Sequence, residues 1–180
     1  MFSFLFEAFW GSDNADPVTS RCWHIISVRP RHEKKVHEEL VRRGIESFQP
    51  MVEETRQWSD RKTKVAVPLF PGYDFVHINV KERLSVLGLK GVLRFVAVGH
   101  RPVVVPDEEV RSLQLAVASA GHPHAIESPG EGEAVMVNEG PLAGIRGIVT
   151  RSAETTHVVI PVESLHTAVA VDVEDNVLDD

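Results

Sequence analysis

Apolar and polar positions alternate with a changing period along residues 21–118, and the changes mark out a series of strands and helices. Residues 22–28 are rich in β-branched and aromatic side chains and stop before Pro30, which predicts a strand. Residues 31–43 then change to helical spacing and are followed by Gly44, which predicts an amphipathic helix. Further strands are predicted at 45–52, 62–70, 73–80 and 92–98, and further helices at 82–89 and after Pro106. This order predicts an α+β domain in which helices cover a largely antiparallel sheet.

The same spacing indicates which side chains are buried. The predicted apolar faces are Val36, Leu40 and Val41 in the first helix, and Val110, Leu113 and Val117 in the last. Glu33 falls on the opposite, charged face of the first helix. The polar stretch 53–61, with Trp58 in its middle, suits a long hairpin loop between two strands.

Residues 119–131 contain two prolines and two glycines and show no period, which predicts a linker. Beyond it the chain is β in character throughout. Short strands are expected at 134–137, 145–150, 157–161 and 168–173. Strands packed into about fifty residues can bury a core only by curling into a small barrel. The predicted division is therefore a tail at 1–20, an α+β domain at 21–118, a linker at 119–131 and a small β-barrel at 132–176.

Charge is divided unevenly between these parts. Residues 21–121 hold 17 basic and 12 acidic side chains, a net charge of +5, whereas residues 122–180 hold 2 basic and 11 acidic ones, a net charge of −9. A locally basic domain can present a cationic face to phosphate even in an acidic protein. The acidic half is a poor candidate for direct RNA binding.

Cys22 is the only cysteine, so the chain has no intramolecular disulfide, which fits a reducing compartment. The apolar start of the chain is too short to span a bilayer and has no positive leader. We expect a cytoplasmic, monomeric protein that does not associate with membranes, with residues 1–20 as a disordered or loosely docked tail.

Enzyme chemistry is not indicated. The chain shows no nucleophile motif, no glycine-rich phosphate loop and no paired carboxylate spacing. His122 and His124 flank a proline, but no third ligand is near in sequence, so neither a metal nor a cofactor is expected.

Several segments, in order and at natural spacing, resemble a known family. Leu69-Phe70-Pro71-Gly72-Tyr73, together with Trp23 in a strand, Gly91–Phe95 and Pro106–Val110, resembles the N-terminal (NGN) domain of NusG-type transcription elongation factors. Residues 132–149 resemble their C-terminal KOW domain, a small β-barrel, and the whole resemblance covers residues 22–175. Residues 27–35 and 58–62 look more like the specialised antiterminators of the RfaH and UpxY kind, which serve polysaccharide-type operons.

The resemblance implies a bacterial factor that binds the clamp helices of the β′ subunit of RNA polymerase and promotes processive elongation. The residues expected to bind polymerase are Trp23, Phe70, Pro71, Tyr73 and Phe75. The alternative is that half of these rings are ordinary core. His24 and Asp74 depart from the family pattern, which commonly has an aromatic and an aliphatic residue at these positions.

Two further contacts are implied. Arg29, Arg31, Lys34 and Lys35 are expected to touch the exposed non-template DNA strand, although interleaved glutamates also fit a solvated helix face. In the KOW domain, Ile160, Leu165 and His166 are expected to bind ribosomal protein S10 or the termination factor Rho, unless Leu165 caps the barrel. The valine-rich strands there favour a stable β form without a helical state.

Two other functions fit the same sequence. The chain could be the housekeeping factor, which assists Rho-dependent termination and couples transcription to translation. It could also be a ribosome- or RNA-binding KOW protein, which the acidic charge of residues 122–180 argues against.

Overall fold

The structure of the protein, a computed structural model, describes residues 20–58, 61–119, 122–127, 132–151 and 156–173. The tail predicted at 1–20 lies almost wholly outside the described residues. The first elements in chain order are β1 (Cys22–Val28), α1 (Glu33–Arg42), β2 (Glu46–Phe48), β3 (Met51–Trp58), β4 (Arg61–Pro68) and β5 (Tyr73–Ile78). A 3-10 turn (Val80–Glu82), α2 (Arg83–Leu87), β6 (Val92–Phe95), β7 (Ala97–Val98), β8 (Arg101–Pro102), β9 (Val104–Val105) and α3 (Asp107–Ala118) follow. The remaining elements are β10 (His124–Ile126), β11 (Glu133–Met136), β12 (Arg146–Arg151), β13 (Thr156–Val162), a 3-10 turn (Glu163–Leu165) and β14 (Thr167–Val173).

The first sheet is antiparallel, in the order β2-β5-β1-β6, with β9 also paired to β1. Strand alternation divides its side chains between two cores, because successive residues point to opposite faces. Ile26 and Val76 pack with α1 and α2 on one face. Ile25 and Phe75, which are paired in the register of β1 and β5, pack with α3 on the other. The predicted α+β arrangement of helices over an antiparallel sheet is therefore confirmed for this part of the chain.

The prediction of a loop at 53–61 is wrong. β3 and β4 pair in register from Met51 and Pro68 to Trp58 and Arg61, so residues 53–58 belong to one strand of a long hairpin. Residues 53–57 and 62–66 are exposed, and polar side chains suit strands that no core covers. Polarity alone therefore did not distinguish a loop from a solvated hairpin.

Two side chains of α1 lie on the opposite side from the one predicted. Val41 is exposed, and Glu33 is only 8% exposed. Val36 and Leu40 are buried as expected. The reason for the buried glutamate is a hydrogen bond at the N-terminus of the helix, described below.

The second sheet is also antiparallel, in the order β10-β14-β13-β12-β11. Its four longer strands match those predicted. β10, however, lies within the segment 119–131, where no secondary structure was expected, and pairs with β14. The pairing between the described strands leaves β10 and β11 at the two edges, so these residues do not show the closed barrel that the sequence predicted.

Glycines shape this second sheet in two ways. Gly140 and Gly144 have φ of 81° and 85°, the conformation in which glycine is favoured over other residues, as expected for a tight turn. Gly147 instead allows close packing, because a Cβ there would lie 2.6 Å from Cγ1 of Val158. Gly147 therefore serves close packing between strands rather than a turn.

The two sheets share one apolar cluster. α3 contacts β1 as well as β13 and β14. Val110 and Leu113 of α3 belong to the same buried cluster as Val158, Ile160 and Val169 of the second sheet. Within the described residues, no helix is long and apolar enough to cross a membrane.

Candidate functional site

The turn between β4 and β5 presents the residues of the predicted polymerase contact. Gly72 has φ of 82°, and its carbonyl accepts a hydrogen bond from the Val28 N–H at the end of β1, 2.8 Å away. The Tyr73 N–H donates to the Phe70 carbonyl across 3.2 Å and closes the turn. Pro71 is exposed at its tip. The backbone of the turn is therefore fixed to the neighbouring strand while its tip faces solvent.

The aromatic side chains do not all face the same environment. Tyr73 is 36% exposed, whereas Phe75 is fully buried. Both lie on the same face of β5, but Tyr73 stands at the strand end, where less of the protein covers it. Phe70 packs on Phe75 with ring centroids 6.4 Å apart, and Trp23 stacks on His77 at 4.9 Å. The structure thus gathers Trp23, Phe70 and Phe75 in the core and leaves Pro71 and Tyr73 at the surface.

The predicted DNA-contacting residues lie beside this turn. Arg29, Arg31, Lys34 and Lys35 are all exposed, in the loop after β1 and the first turn of α1. The Arg29 N–H donates to the Gly91 carbonyl, and Arg31 has a left-handed φ of 65°, so the loop is tightly bent. The Lys34 ammonium lies 3.9 Å from the Glu38 carboxylate on the exposed face of the helix, a contact that leaves it accessible.

Glu33 joins the turn to this basic loop. Its Oε1 accepts a hydrogen bond from the Gly72 N–H across 3.1 Å. Because Glu33 begins α1, this bond fixes the start of the helix to the tip of the turn. Arg31 and Lys34 are thereby held near Pro71 and Tyr73.

Asp74 lies away from this surface, fully buried on the face that α1 covers. The Ser47 hydroxyl lies 3.3 Å from both carboxyl oxygens, and His37 Nδ1 lies 2.8 Å from the same hydroxyl and 3.7 Å from Asp74 Oδ2. Burial raises the pKa of Asp74 to about 7, against the effect of the Ser47 hydrogen bond, and burial lowers the pKa of His37. Both pKa shifts favour the neutral forms, so burial works against an ion pair between Asp74 and His37.

His24, the other departure from the family pattern, is partly buried on the same face. Its Nδ1 lies 2.8 Å from the Val103 carbonyl, and its ring meets Phe95 edge-on at 6.0 Å. Burial lowers its pKa, although the Val103 hydrogen bond opposes the shift. Neither side chain is therefore part of the exposed turn.

Comparison with known proteins decides the family. The family model "Transcription termination factor nusG" matches residues 21–114, a little over half of the chain. The chain belongs to the NusG family.

Curated relatives agree with this assignment. A transcription termination/antitermination protein NusG of Deinococcus radiodurans is 29% identical over 155 residues, covering 71% of this chain and 82% of the relative. The protein of the same name from Borreliella burgdorferi is 23% identical over 151 residues, with 73% and 82% covered. One from Thermus thermophilus is 33% identical over 100 residues, with 50% and 54% covered.

A solved structure titled "Domain interaction in Thermotoga maritima NusG" superposes with a TM-score of 0.52 at 22% identity. It covers 90% of this chain and 98% of its own, and so supports the fold alone. Proteins of the NusG family are transcription factors that work with RNA polymerase. The family predicted from residues 22–175 is therefore confirmed at the level of NusG.

Two of the three residues expected to bind S10 or Rho pack in the apolar cluster that the two sheets share. Ile160 is buried in the shared apolar cluster, and Leu165 is partly buried against it. His166 is exposed, with a left-handed φ of 52° after the 3-10 turn. Only His166 of the three is freely accessible in this arrangement.

Sequence reasoning missed two glutamates of this NusG-family chain. The helical spacing places Glu33 on the charged face of the first helix, and it gives Glu109 no contact outside its own helix. Glu109 meets Ser164 of the 3-10 turn before β14, whose hydroxyl and backbone N–H favour the charged carboxylate. Burial outweighs them and raises the pKa of Glu109 to about 7, and its Oε1 is buried without a hydrogen-bond partner. Neither contact has a local sequence signal, because the partners are 39 and 55 residues away.

No group of three or more His, Cys, Asp or Glu in the described ranges is arranged to hold a metal ion. Within His122-Pro123-His124, the second histidine begins strand β10.

Proposed function

We propose that this chain is a bacterial transcription elongation factor that binds RNA polymerase through the exposed turn formed by Pro71, Gly72 and Tyr73. The observation that carries the proposal is this turn, fixed to β1 and α1 by hydrogen bonds yet open to solvent at its tip. A rigid exposed aromatic anchors an interface at a low cost in side-chain entropy. Phe70 and Phe75 support the turn from below, and Trp23 is a further core residue of the same sheet face.

The partner proposed for this turn is the pair of clamp helices of the β′ subunit. A factor that bridges the polymerase cleft makes and breaks no covalent bond. It acts by shifting the population toward the closed, elongating state, and its effect is limited by the difference between its affinities for the closed and open states. Such a role places the protein in the cytoplasm.

We propose that the basic loop of Arg29, Arg31, Lys34 and Lys35 touches the non-template DNA strand. The Glu33–Gly72 hydrogen bond supports this arrangement, because it holds the loop beside the polymerase-binding turn. Contacts from lysine and arginine to phosphate position a protein on DNA but do not select a sequence. Each such contact makes binding weaker as salt rises.

For residues 132–176 we propose a KOW domain with S10 or Rho as partner, through Leu165, His166 and Ile160. Four antiparallel strands and the positive φ of Gly140 and Gly144 support the KOW assignment. Because Ile160 is buried and Leu165 partly so, binding through them requires the second sheet to separate from α3.

Within the family we propose an antiterminator that serves polysaccharide-type operons. The proposal rests on residues 27–35 and 58–62, which resemble the specialised members. The second candidate is the housekeeping factor, favoured by the name of the curated relatives, which describes both termination and antitermination.

Multi-round transcription by the cognate polymerase, on a template with the native upstream region and a Rho site, tests the proposal. Increased read-through in the presence of Rho, lost in Tyr73→Ala, is expected of the antiterminator. Val98→Ala is the matched control, because Val98 is an exposed apolar residue on β7, outside the turn.

Earlier or stronger termination would support the housekeeping factor. Binding of Rho by the full chain would support the same alternative. No effect on transcription combined with no binding to polymerase would contradict both and favour a ribosome- or RNA-binding role.

A further inference from the structure

Three side chains form a row across the first sheet, at the end that carries the exposed turn. In the strand register, Ser27 of β1 lies opposite Tyr73 of β5 on one side and opposite Arg94 of β6 on the other. Directly opposed residues of neighbouring antiparallel strands point to the same face of a sheet. The row therefore lies on the face of Ile25 and Phe75, which each stand two residues away from it along a strand.

The row is higher at its two ends than in the middle. Tyr73 is 36% exposed and Arg94 is also exposed, whereas Ser27 has a short side chain and is half-buried. Neighbouring strands lie about 4.8 Å apart, so the backbones at Tyr73 and Arg94, with one strand between them, stand about 10 Å apart. An α-helix with its side chains has a diameter of about 10–12 Å. We call these three residues the Tyr73–Arg94 notch, and it is about as wide as one helix.

The Arg94 guanidinium has no acidic partner among the described residues. The sequence around it supplies none, because residues 83–106 contain no aspartate or glutamate. Asp74, the only acidic residue of β5, lies opposite Ile26 and points to the other face of the sheet. Other arginines pair with glutamates within the fold, namely Arg21, Arg42, Arg43 and Arg56. Arg94 therefore presents an unneutralised positive charge on the same row as the exposed Tyr73 ring.

The notch and the basic loop belong to different sides of the sheet. The basic loop leads into α1, which packs on the face of Ile26. Arg94 instead shares the opposite face with Tyr73. Tyrosine and arginine are enriched among the residues that contribute most to the affinity of protein interfaces. The Tyr73–Arg94 notch is therefore better suited to a protein partner than to the DNA strand proposed for the loop.

We propose that the Tyr73–Arg94 notch seats one α-helix of RNA polymerase and that the Arg94 guanidinium binds a carboxylate of that helix. The inference rests on the function proposed above and adds a requirement on the partner. The helix must carry an acidic side chain across from its contact with Tyr73. A planar guanidinium forms two parallel hydrogen bonds with a carboxylate, which fixes both the orientation of the helix and the residue type that it presents.

The affinity of the full chain for the cognate core RNA polymerase, in the absence of nucleic acid, tests this contact. Arg94→Ala should weaken binding about tenfold or more, because hydrogen bonds between charged groups contribute more than neutral ones. Arg94→Lys keeps the charge but not the two parallel hydrogen bonds, so its affinity should lie between those of the native protein and Arg94→Ala. Arg146→Ala is the matched control, since it removes an exposed arginine from β12 of the second sheet.

An exchange of charges identifies the carboxylate. Arg94→Glu should bind more weakly than Arg94→Ala, because it places a like charge opposite the acidic side chain. Each acidic residue of the β′ clamp helices is then replaced by lysine, one at a time. One of these polymerase variants should bind Arg94→Glu about tenfold more tightly than the native polymerase does. The circular dichroism spectrum and the unfolding midpoint of each Arg94 variant should match those of the native chain, because the position is on the surface.

The outcomes separate this contact from the proposed function. If Tyr73→Ala weakens binding while Arg94→Ala behaves like Arg146→Ala, the turn binds polymerase without Arg94 and the inference is overturned alone. If the native chain does not bind polymerase, or if Tyr73→Ala leaves the affinity unchanged, the proposed function is overturned and the notch with it.

Two further results would reassign Arg94. An effect of Arg94→Ala on binding to a single-stranded DNA oligonucleotide, with no effect on binding to core polymerase, would place Arg94 on the nucleic-acid surface. A loss of polymerase binding in Arg94→Ala that no lysine substitution in the clamp helices compensates in Arg94→Glu would exclude a carboxylate of these helices as its partner.

Discussion

Glu33 Oε1 accepts a hydrogen bond from the Gly72 N–H across 3.1 Å, and this bond connects the first turn of α1 to the turn between β4 and β5. The glutamate is largely buried, so its carboxylate has few alternative partners. A charged acceptor at a helix N-terminus is also favoured by the helix dipole.

Glu33→Ala should lower the free energy of unfolding by about 1–3 kcal/mol, since it leaves the Gly72 N–H without its partner. Urea denaturation of the full chain measures this. Glu33→Gln keeps an acceptor oxygen and should lower the free energy of unfolding less than Glu33→Ala does. Glu38→Ala is the matched control on the exposed face of α1, expected within about 0.5 kcal/mol of the native protein. Equal losses for Glu33→Ala and Glu38→Ala would contradict the role of the buried bond.

Asp74 should make the native fold less stable as pH rises. Its pKa is raised to about 7 in the folded protein, whereas the ordinary value is 3.8. The folded state therefore binds more protons than the unfolded one between these values, and the stability held below pH 3.8 is lost progressively up to pH 7.

Asp74→Asn should remove this dependence. The difference in unfolding free energy between variant and native protein should grow by roughly 4 kcal/mol from pH 3.5 to pH 8, because each unit of difference between the folded and unfolded pKa is worth about 1.36 kcal/mol. Urea denaturation across the pH range measures it, with Glu108→Gln as the control for loss of an exposed carboxylate. A constant difference between Asp74→Asn and the native protein would show that Asp74 titrates normally.

Glu109 should make the contact between α3 and the second sheet depend on pH. Burial, with a smaller contribution from the nearby Glu163, raises its pKa to about 7. The contact therefore takes up a proton when it forms, so it is complete below the ordinary pKa of glutamate and weakens as pH rises through 7. Small-angle scattering should give a larger radius of gyration at pH 8 than at pH 6.

Glu109→Gln should keep the small radius at both pH values, because the amide remains neutral. Glu108→Gln, the adjacent exposed position on α3, should behave like the native protein. Identical responses of these two variants to pH would exclude Glu109 as the titrating group.

Alanine substitutions of Tyr73 and Phe75 should have different effects on stability, although the two residues lie only two positions apart. Phe75→Ala should destabilise the fold by about 3–5 kcal/mol, because Phe75 is fully buried between Phe48, Phe70 and Ile25. Tyr73→Ala should change stability by less than about 1 kcal/mol, since surface substitutions rarely do more. Thermal unfolding of both variants measures the difference. A large loss in Tyr73→Ala would show that Tyr73 belongs to the core and not to a binding surface.

The spacing of apolar residues predicted most elements of the first domain because local propensity and periodicity agree there. Val36 and Leu40 of α1 and Val110 and Leu113 of α3 are buried as expected. The prediction failed where side chains face solvent on both sides. The hairpin of β3 and β4 has no covering layer, so its polar residues resembled those of a loop.

Local sequence determined most of the elements, the family and the turn at Pro71 and Gly72 of this protein, because each depends on residues within a few positions of one another. Tertiary structure alone decided the partners of Glu33, Asp74 and Glu109, which are 27 to 55 residues away along the chain. It also decided which aromatic rings are covered, since Tyr73 and Phe75 share a strand face and differ only in what packs over them. Burial and long-range hydrogen bonds depend on how the elements pack, and the sequence pattern of a single element does not determine this packing.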